Sequence, residues 1–299
     1  MRISIMLIYL MIPPLLYSQI KIKTYTTATD TFYWKHYESV DKPKKASLRK
    51  FVSGNSNQVI QAFIAGNLEL FPQFTNDSVS RFGLKDLKKS LYPVDINGDG
   101  LPDMIFSGFS GGESDITRIF LNRGDTFELV FEDYQYITSL TLKEGKLMRM
   151  VIADPGCCDA YLYFRREFSV VQDRNALIFV KGKQTVEYNR TQRPMELLST
   201  PFRWTSLYDT LLIRASAALI DDPYNPYMET AGNIIAGYTQ KVRGEAIARQ
   251  RDTFGREWLF VEIIPEIRPA KSIFYEIEKY PTFIRGWVNR SEIKISQPN

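Results

Sequence analysis

The chain has 299 residues, a formal charge of +4, 44% hydrophobic and 13% aromatic residues, one histidine and two cysteines. That length and apolar content suffice for two domains with cores of their own, and so mild a charge excludes a nucleic-acid binder built on a basic surface. One histidine excludes any mechanism needing two and any His-rich zinc site, and a single pair of adjacent cysteines excludes a framework of disulfide-stapled loops.

Arg2 precedes an apolar run from Ile3 to Leu16, broken only by Ser4 and Pro13-Pro14, and Tyr17-Ser18-Gln19 offers a small residue for cleavage. This is the pattern of a secretory signal peptide, too short to span a membrane comfortably. Residues 1–18 are expected to be that signal, and the mature chain to be secreted or periplasmic; no later apolar segment reaches spanning length. Residues 21–45 alternate apolar and polar, as in "TFYWKHY", and predict strands, with His36 a strand residue. The basic block Lys42 to Lys50 reads as a solvated surface. Over Ser47–Asn67 the apolar Val59, Ile60, Phe63 and Ile64 fall on one helical face, and residues 78–90, with Phe82, Leu84 and Leu87, predict a second short helix or loop.

From Leu91 the character is β. "MIFSG", "TRIFLN", "FELVFE", "YITSLTL", "LMRMVIAD" and "AYLYFRREFSVV" are strand-like runs separated by Gly, Asn and Asp clusters at hairpin spacing. "LNRGDTF" and "KEGKL" are turns, and "FSGGES" a hairpin tip. Arg123-Gly124-Asp125 lies in the first of these, where Gly and Asp are expected on turn chemistry alone. Cys157 and Cys158 have Cα atoms ~3.8 Å apart, below the usual disulfide range of ~4.4–6.8 Å. Three readings stand: two free thiols in a turn, a strained vicinal disulfide, or a redox or metal site with Asp154 and Asp159. Residues 181–204 carry fewer apolar positions and two prolines, which places a domain boundary near Pro201, dividing 19–200 from 201–299. Beyond it "LLIRASAAL", "NIIAGYT", "RGEAIARQRD", "EWLFVEII" and "FIRGWVNRSEI" predict five short strands of a small barrel.

The densest chemistry lies in "VDINGDGLPDMIFSG", Val94 to Gly108. Counting from Asp95, positions 1, 3, 5 and 9 are Asp95, Asn97, Asp99 and Asp103, and the Leu101 carbonyl stands at position 7. In a loop coiled around an ion these positions point inward, and Gly98 and Gly100 supply the positive φ the coil needs. Two carboxylates ~4 Å apart repel by roughly 1–4 kcal/mol; calcium, which takes six to eight oxygens, turns that penalty into binding. An EF-hand would carry Glu at position 12, where this chain has Phe106, so the expectation is a calcium loop between two strands.

The stretch 91–132, "PVDINGDGLPDMIFSG" followed by "TRIFLNRGDTFELVF", resembles a single FG-GAP/VCBS repeat of extracellular proteins and integrin propellers. The resemblance implies Asp95, Asn97, Asp99, Leu101 through its carbonyl, and Asp103 as structural calcium ligands. One repeat does not close a propeller, so the implied unit is a β-meander with one calcium loop. Residues 207–295 resemble the bacterial SH3-like domain: Arg214 and Ser216 on an early strand, Trp258 on a central one, Gly286-Trp287-Val288 near the end. Its members are binding modules, often for cell-wall peptides. Tyr224, Tyr227 and Trp258 are candidates for a shallow aromatic groove taking a peptide, protein or cell-wall fragment, with Trp258 and Trp287 as core residues the competing assignment.

The expected fold is thus mainly β with an α+β N-terminal part: a β-meander domain with one calcium loop, then a small SH3-like barrel. The expected function is that of a secreted, calcium-stabilised binding protein without catalysis. The alternatives are a secreted or periplasmic hydrolase with the SH3-like domain as targeting arm, and a periplasmic partner of an envelope complex. No Walker loop or single outstanding carboxylate pair marks a catalytic centre.

Overall fold

The computed structural model describes residues 45–296, apart from 53, 55, 76–81, 113, 155–161, 174–175, 189, 222–231 and 273–281. The signal segment, His36, Cys157, Cys158, Tyr224 and Tyr227 lie outside the described residues. A 3-10 turn at Leu48–Phe51 leads into helix α1, Ser56–Asn67, which buries Ile60 and Phe63 from the apolar stripe. Two further 3-10 turns, Leu68–Leu70 and Pro72–Phe74, and the short helix α2, Leu84–Lys89, follow.

Strands β1 (Leu91–Val94), β2 (Asp103–Phe109), β3 (Asp115–Asn122) and β4 (Phe127–Asp133) pair antiparallel in chain order as a four-stranded sheet. Both faces are covered, so β2 is apolar at successive positions. Met104 and Phe106 join Phe63, Phe71, Phe74 and Phe120 under the helices, while Ile105, with Ile119, Leu121 and Phe131, faces the second sheet. Edge-to-face contacts such as Phe63–Phe120, at 4.9 Å between centroids, order the helical side.

The second sheet begins with β5 (Tyr136–Lys143), β6 (Lys146–Asp154), β7 (Leu162–Asp173) and β8 (Ala176–Tyr188), antiparallel in turn. Then come β9 (Glu196–Ser206), β10 (Leu211–Arg214), β11 (Ile234–Tyr238), β12 (Arg243–Arg251), β13 (Glu257–Ile263), β14 (Lys271–Ser272), β15 (Thr282–Asn289) and β16 (Ile293–Ile295). The sheet has twelve strands, ordered β16-β9-β12-β13-β15-β8-β7-β6-β5, with β10, β11 and β14 branching from β15. The branch packs Leu211, Ile213, Ile235 and Tyr238 against Leu259, Val261, Ile284, Val288 and Trp204.

The molecule is mainly β, as composition and patterning indicate. The expected closed barrel is corrected: the strands of 201–299 form part of an open sheet. The edge of β15 not paired with β13 is divided between β10, through Arg214–Trp287, and β8, which adds in parallel through Thr282–Gln184 to Ile284–Val186. That second pairing carries the sheet on into the N-terminal half. Strand β9 also runs through Pro201, where the boundary was expected. Among the described residues, no helix is long and apolar enough to cross a membrane.

Candidate metal centre

The acidic loop connects β1 to β2, whose register ends at Val94–Asp103. Gly98 and Gly100 have φ of +76° and +84°, the left-handed conformation that costs a side-chain-bearing residue most. Between them the backbone coils so that its N–H groups turn inward. Asp95 Oδ1 accepts from Gly98 N at 2.7 Å and Oδ2 from Gly100 N at 3.0 Å. Asn97 Oδ1 accepts from Asp99 N at 2.9 Å, and Asp99 Oδ1 from Leu101 N at 2.8 Å. Asn97 Nδ2 donates to Asp99 Oδ2 at 2.8 Å.

Asp103 is fully buried beneath this coil and accepts from Ile96 N at 3.0 Å and Asn122 N at 2.8 Å, fastening the loop to β3. Burial, with the charges of Asp99 and Asp95 added, pushes its carboxyl up to about 6 against the pull of those two amides. The loop also joins the two sheets. Ile96 plugs the core shared by β1–β8, Leu147 N donates to Ile96 O at 2.8 Å, and Gln172 Nε2 on β7 donates to Asn97 O at 2.9 Å. The Lys146 stem lies over Gly98, where a Cβ would stand 3.1 Å from it.

Each of these side chains is thus bound to the loop's own backbone, and among the described residues no three acidic, histidine or cysteine side chains converge as a formed cluster. The donor set nevertheless suits a hard cation. It comprises three carboxylates and an amide oxygen, each oxygen with one lone pair left after its hydrogen bond, and the carbonyl of Leu101.

The other expected site residues fall elsewhere. Trp258 is corrected from groove to core. Its indole is fully buried beside Phe260 and Trp287, and its Nε1 donates to Asp252 Oδ2 at 3.1 Å. Against the cost of desolvation, that bond and those from Arg256 and Phe254 hold Asp252 at about 2. Arg214 is buried and fastens the chain after β10, donating to Ile220 O, Asn233 Oδ1 and Asp221 Oδ1, while Ser216 Oγ accepts from Asn233 Nδ2. Arg123 donates to Glu128 from Nε at 2.8 Å, and Gly124, at φ +89°, completes a turn that Asn122 caps. That triplet is turn chemistry.

A second constellation escaped the sequence reading. Glu262 on β13 pairs with Lys183 of β8 and accepts from Arg285 Nε of β15 at 2.9 Å; Glu187 pairs with Arg193 and stands 4.0 Å from Arg285. All but Arg193 are buried. Lys183 and Arg285 hold Glu262 ionised despite the cost of its burial. The signal was present in "EWLFVEII": Glu262 shares the period-two face of Trp258 and Phe260 in a strand otherwise apolar on both sides.

Compared with known proteins, the chain matches no family model, no curated protein and no solved structure. The two family resemblances rest on their motifs.

Proposed function

We propose that this is an exported binding protein without catalysis, whose acidic loop takes one structural calcium ion. The observation that carries this reading is the coil of Asp95, Asn97, Asp99 and Asp103 around two left-handed glycines at the junction of two sheets. Asp95, Asn97, Asp99, Asp103 and the Leu101 carbonyl hold the ion, which neutralises charges the fold brings together at some cost. Export is supported by Arg2 and the apolar run behind it, the pattern of a signal peptide. The SH3-like C-terminal strands dock a peptide, protein or cell-wall fragment. With Trp258 in the core, that contact falls to Tyr224 and Tyr227 in the polar segment after β10.

The test is thermal unfolding of the full chain with calcium and with chelator. The expected result is a lower melting temperature in chelator, and loss of that sensitivity in Asp99→Ala. Asp99 is exposed, and its removal leaves the apolar core intact. Identical melting of the wild type under both conditions removes the calcium from this reading.

A further inference from the structure

Four neighbouring strands carry one row of charge. Arg203 on β9 lies opposite Glu245 on β12, Glu245 opposite Glu262 on β13, and Glu262 opposite Arg285 on β15. Residues opposed across antiparallel strands share a face, with Cβ atoms about 4.5–5.5 Å apart, and like charges so placed destabilise the pair. Two glutamates meet here, and both are nearly out of water: Glu245 is 6% exposed and Glu262 is 3%.

Their surroundings are unequal. Glu262 gives one oxygen to Lys183 and the other to Arg285. The Glu245 carboxyl makes no hydrogen bond or ion pair among the described residues, and Arg203, its register partner, lies exposed. A buried carboxylate without a bound partner is expensive, and the carboxyl group avoids that expense by keeping its proton.

We propose that Glu245 is a proton switch for the seam between β12 and β13: as a neutral acid it leaves the seam closed, and release of its proton to solvent loosens it. The charged groups facing it are Glu262 from β13, Lys183 from β8, Arg203 from β9 and Arg285 from β15. Lys183 and Arg285 are already committed to Glu262, so ionisation sets a second carboxylate beside the first with only the exposed Arg203 opposite it. Burial, then the Glu262 charge, push Glu245 up to about 8 against the three cations.

The backbone beside Glu245 is irregular on one side and tightly packed on the other. One residue beyond Glu245 the register of β12 breaks between Ala246 and Ala248 against both neighbours. One residue before it, Gly244 packs so tightly that a Cβ would lie 2.3 Å from the Glu262 carbonyl oxygen. Charge appearing between a bulge and a close contact has little room to relax in place. Strands β12, β9 and β16 lie beyond the seam and are the set released.

The sign follows from linkage. Between the ordinary glutamate value of about 4.5 and about 8, the folded chain holds a proton that the unfolded chain has lost. Stability is therefore full below the lower value, falls as pH rises between the two, and is level above.

The test is carbon-13 NMR of the full chain labelled at glutamate Cδ, with Glu245→Gln, which mimics the neutral acid, supplying the assignment. Should that variant not fold, sequential assignment identifies the same carbon in the wild type. One glutamate is expected to titrate near 8 and to be missing from the variant. Melting temperature should fall from about pH 5 to about pH 9 more steeply in the wild type than in Glu245→Gln. Protection factors of the amides of residues 244–248, taken relative to the base-catalysed intrinsic rate, should fall over that range in the wild type alone. A Glu245 midpoint in the ordinary carboxylate range, equal pH slopes for the two proteins, or unchanged protection factors overturns the proposal.

Discussion

At the tip of the β5–β6 hairpin, Glu144 has a φ of +53° and Gly145 of +75°. A two-residue hairpin loop with both residues left-handed is a type I′ turn, whose favoured sequence is Asn-Gly because Asn tolerates that region better than Glu. Glu144 is exposed and its side chain can be exchanged without touching the core. Glu144→Asn is expected to stabilise the protein by about 0.5–1 kcal/mol, read as a higher urea midpoint at unchanged slope. The same hairpin sets Lys146 over Gly98 and Leu147 N against Ile96 O. The gain should therefore appear with calcium and with chelator alike, which separates turn relief from an effect on the acidic loop.

Among the elements, the β runs from Leu91 to Asp173 were legible because their apolar residues alternate or run on between turn residues whose backbone needs are local. The acidic loop was legible for the same reason: Gly98 and Gly100 announce positive φ from their chemistry, and Asp95, Asn97 and Asp99 each cap an N–H two to five residues on. Strand β8 was not legible as the middle of a sheet. Lys181, Lys183, Gln184 and Glu187 are buried by partners as distant as Glu262, and no local pattern announces a charge neutralised 79 residues away. A stretch poor in apolar residues therefore pointed to a boundary, while the burial of its first part, β8, rests on ion pairs and hydrogen bonds. Trp258 failed as a groove residue on the same ground, since an aromatic side chain in a strand does not declare its face. Element packing gives its own test at Gly244 on β12. A methyl group there would stand 2.3 Å from the Glu262 carbonyl oxygen and 2.8 Å from the Trp204 ring. Neither atom yields easily, one being backbone and the other a fully buried indole. Gly244→Ala is expected to cost about 1–3 kcal/mol, measured by chemical denaturation.

At the scale of the whole molecule, two steps lead from the acidic loop to the C-terminal half. The acidic loop places Val94 and Ile96 in one core with Met150, Ile152, Phe168 and Phe179 of the second sheet, and β8 passes that sheet on to β15. Three of the four tryptophans, Trp204, Trp258 and Trp287, are buried in the C-terminal half, while the proposed calcium ligands all lie in the N-terminal half. These three tryptophans report on the C-terminal half, which holds none of the proposed ligands. If the sheet couples the halves, calcium stabilises both together, adding about 2.7 kcal/mol when free ion stands at about a hundred times its dissociation constant. The expected outcome is that chelator lowers the midpoint followed by tryptophan fluorescence by as much as the midpoint followed by far-UV circular dichroism, since coincident transitions are the mark of one cooperative unit. A calcium-dependent shift in circular dichroism with a fixed fluorescence midpoint would mean instead that the parallel β8–β15 pairing, only three residue pairs long, parts before either half melts.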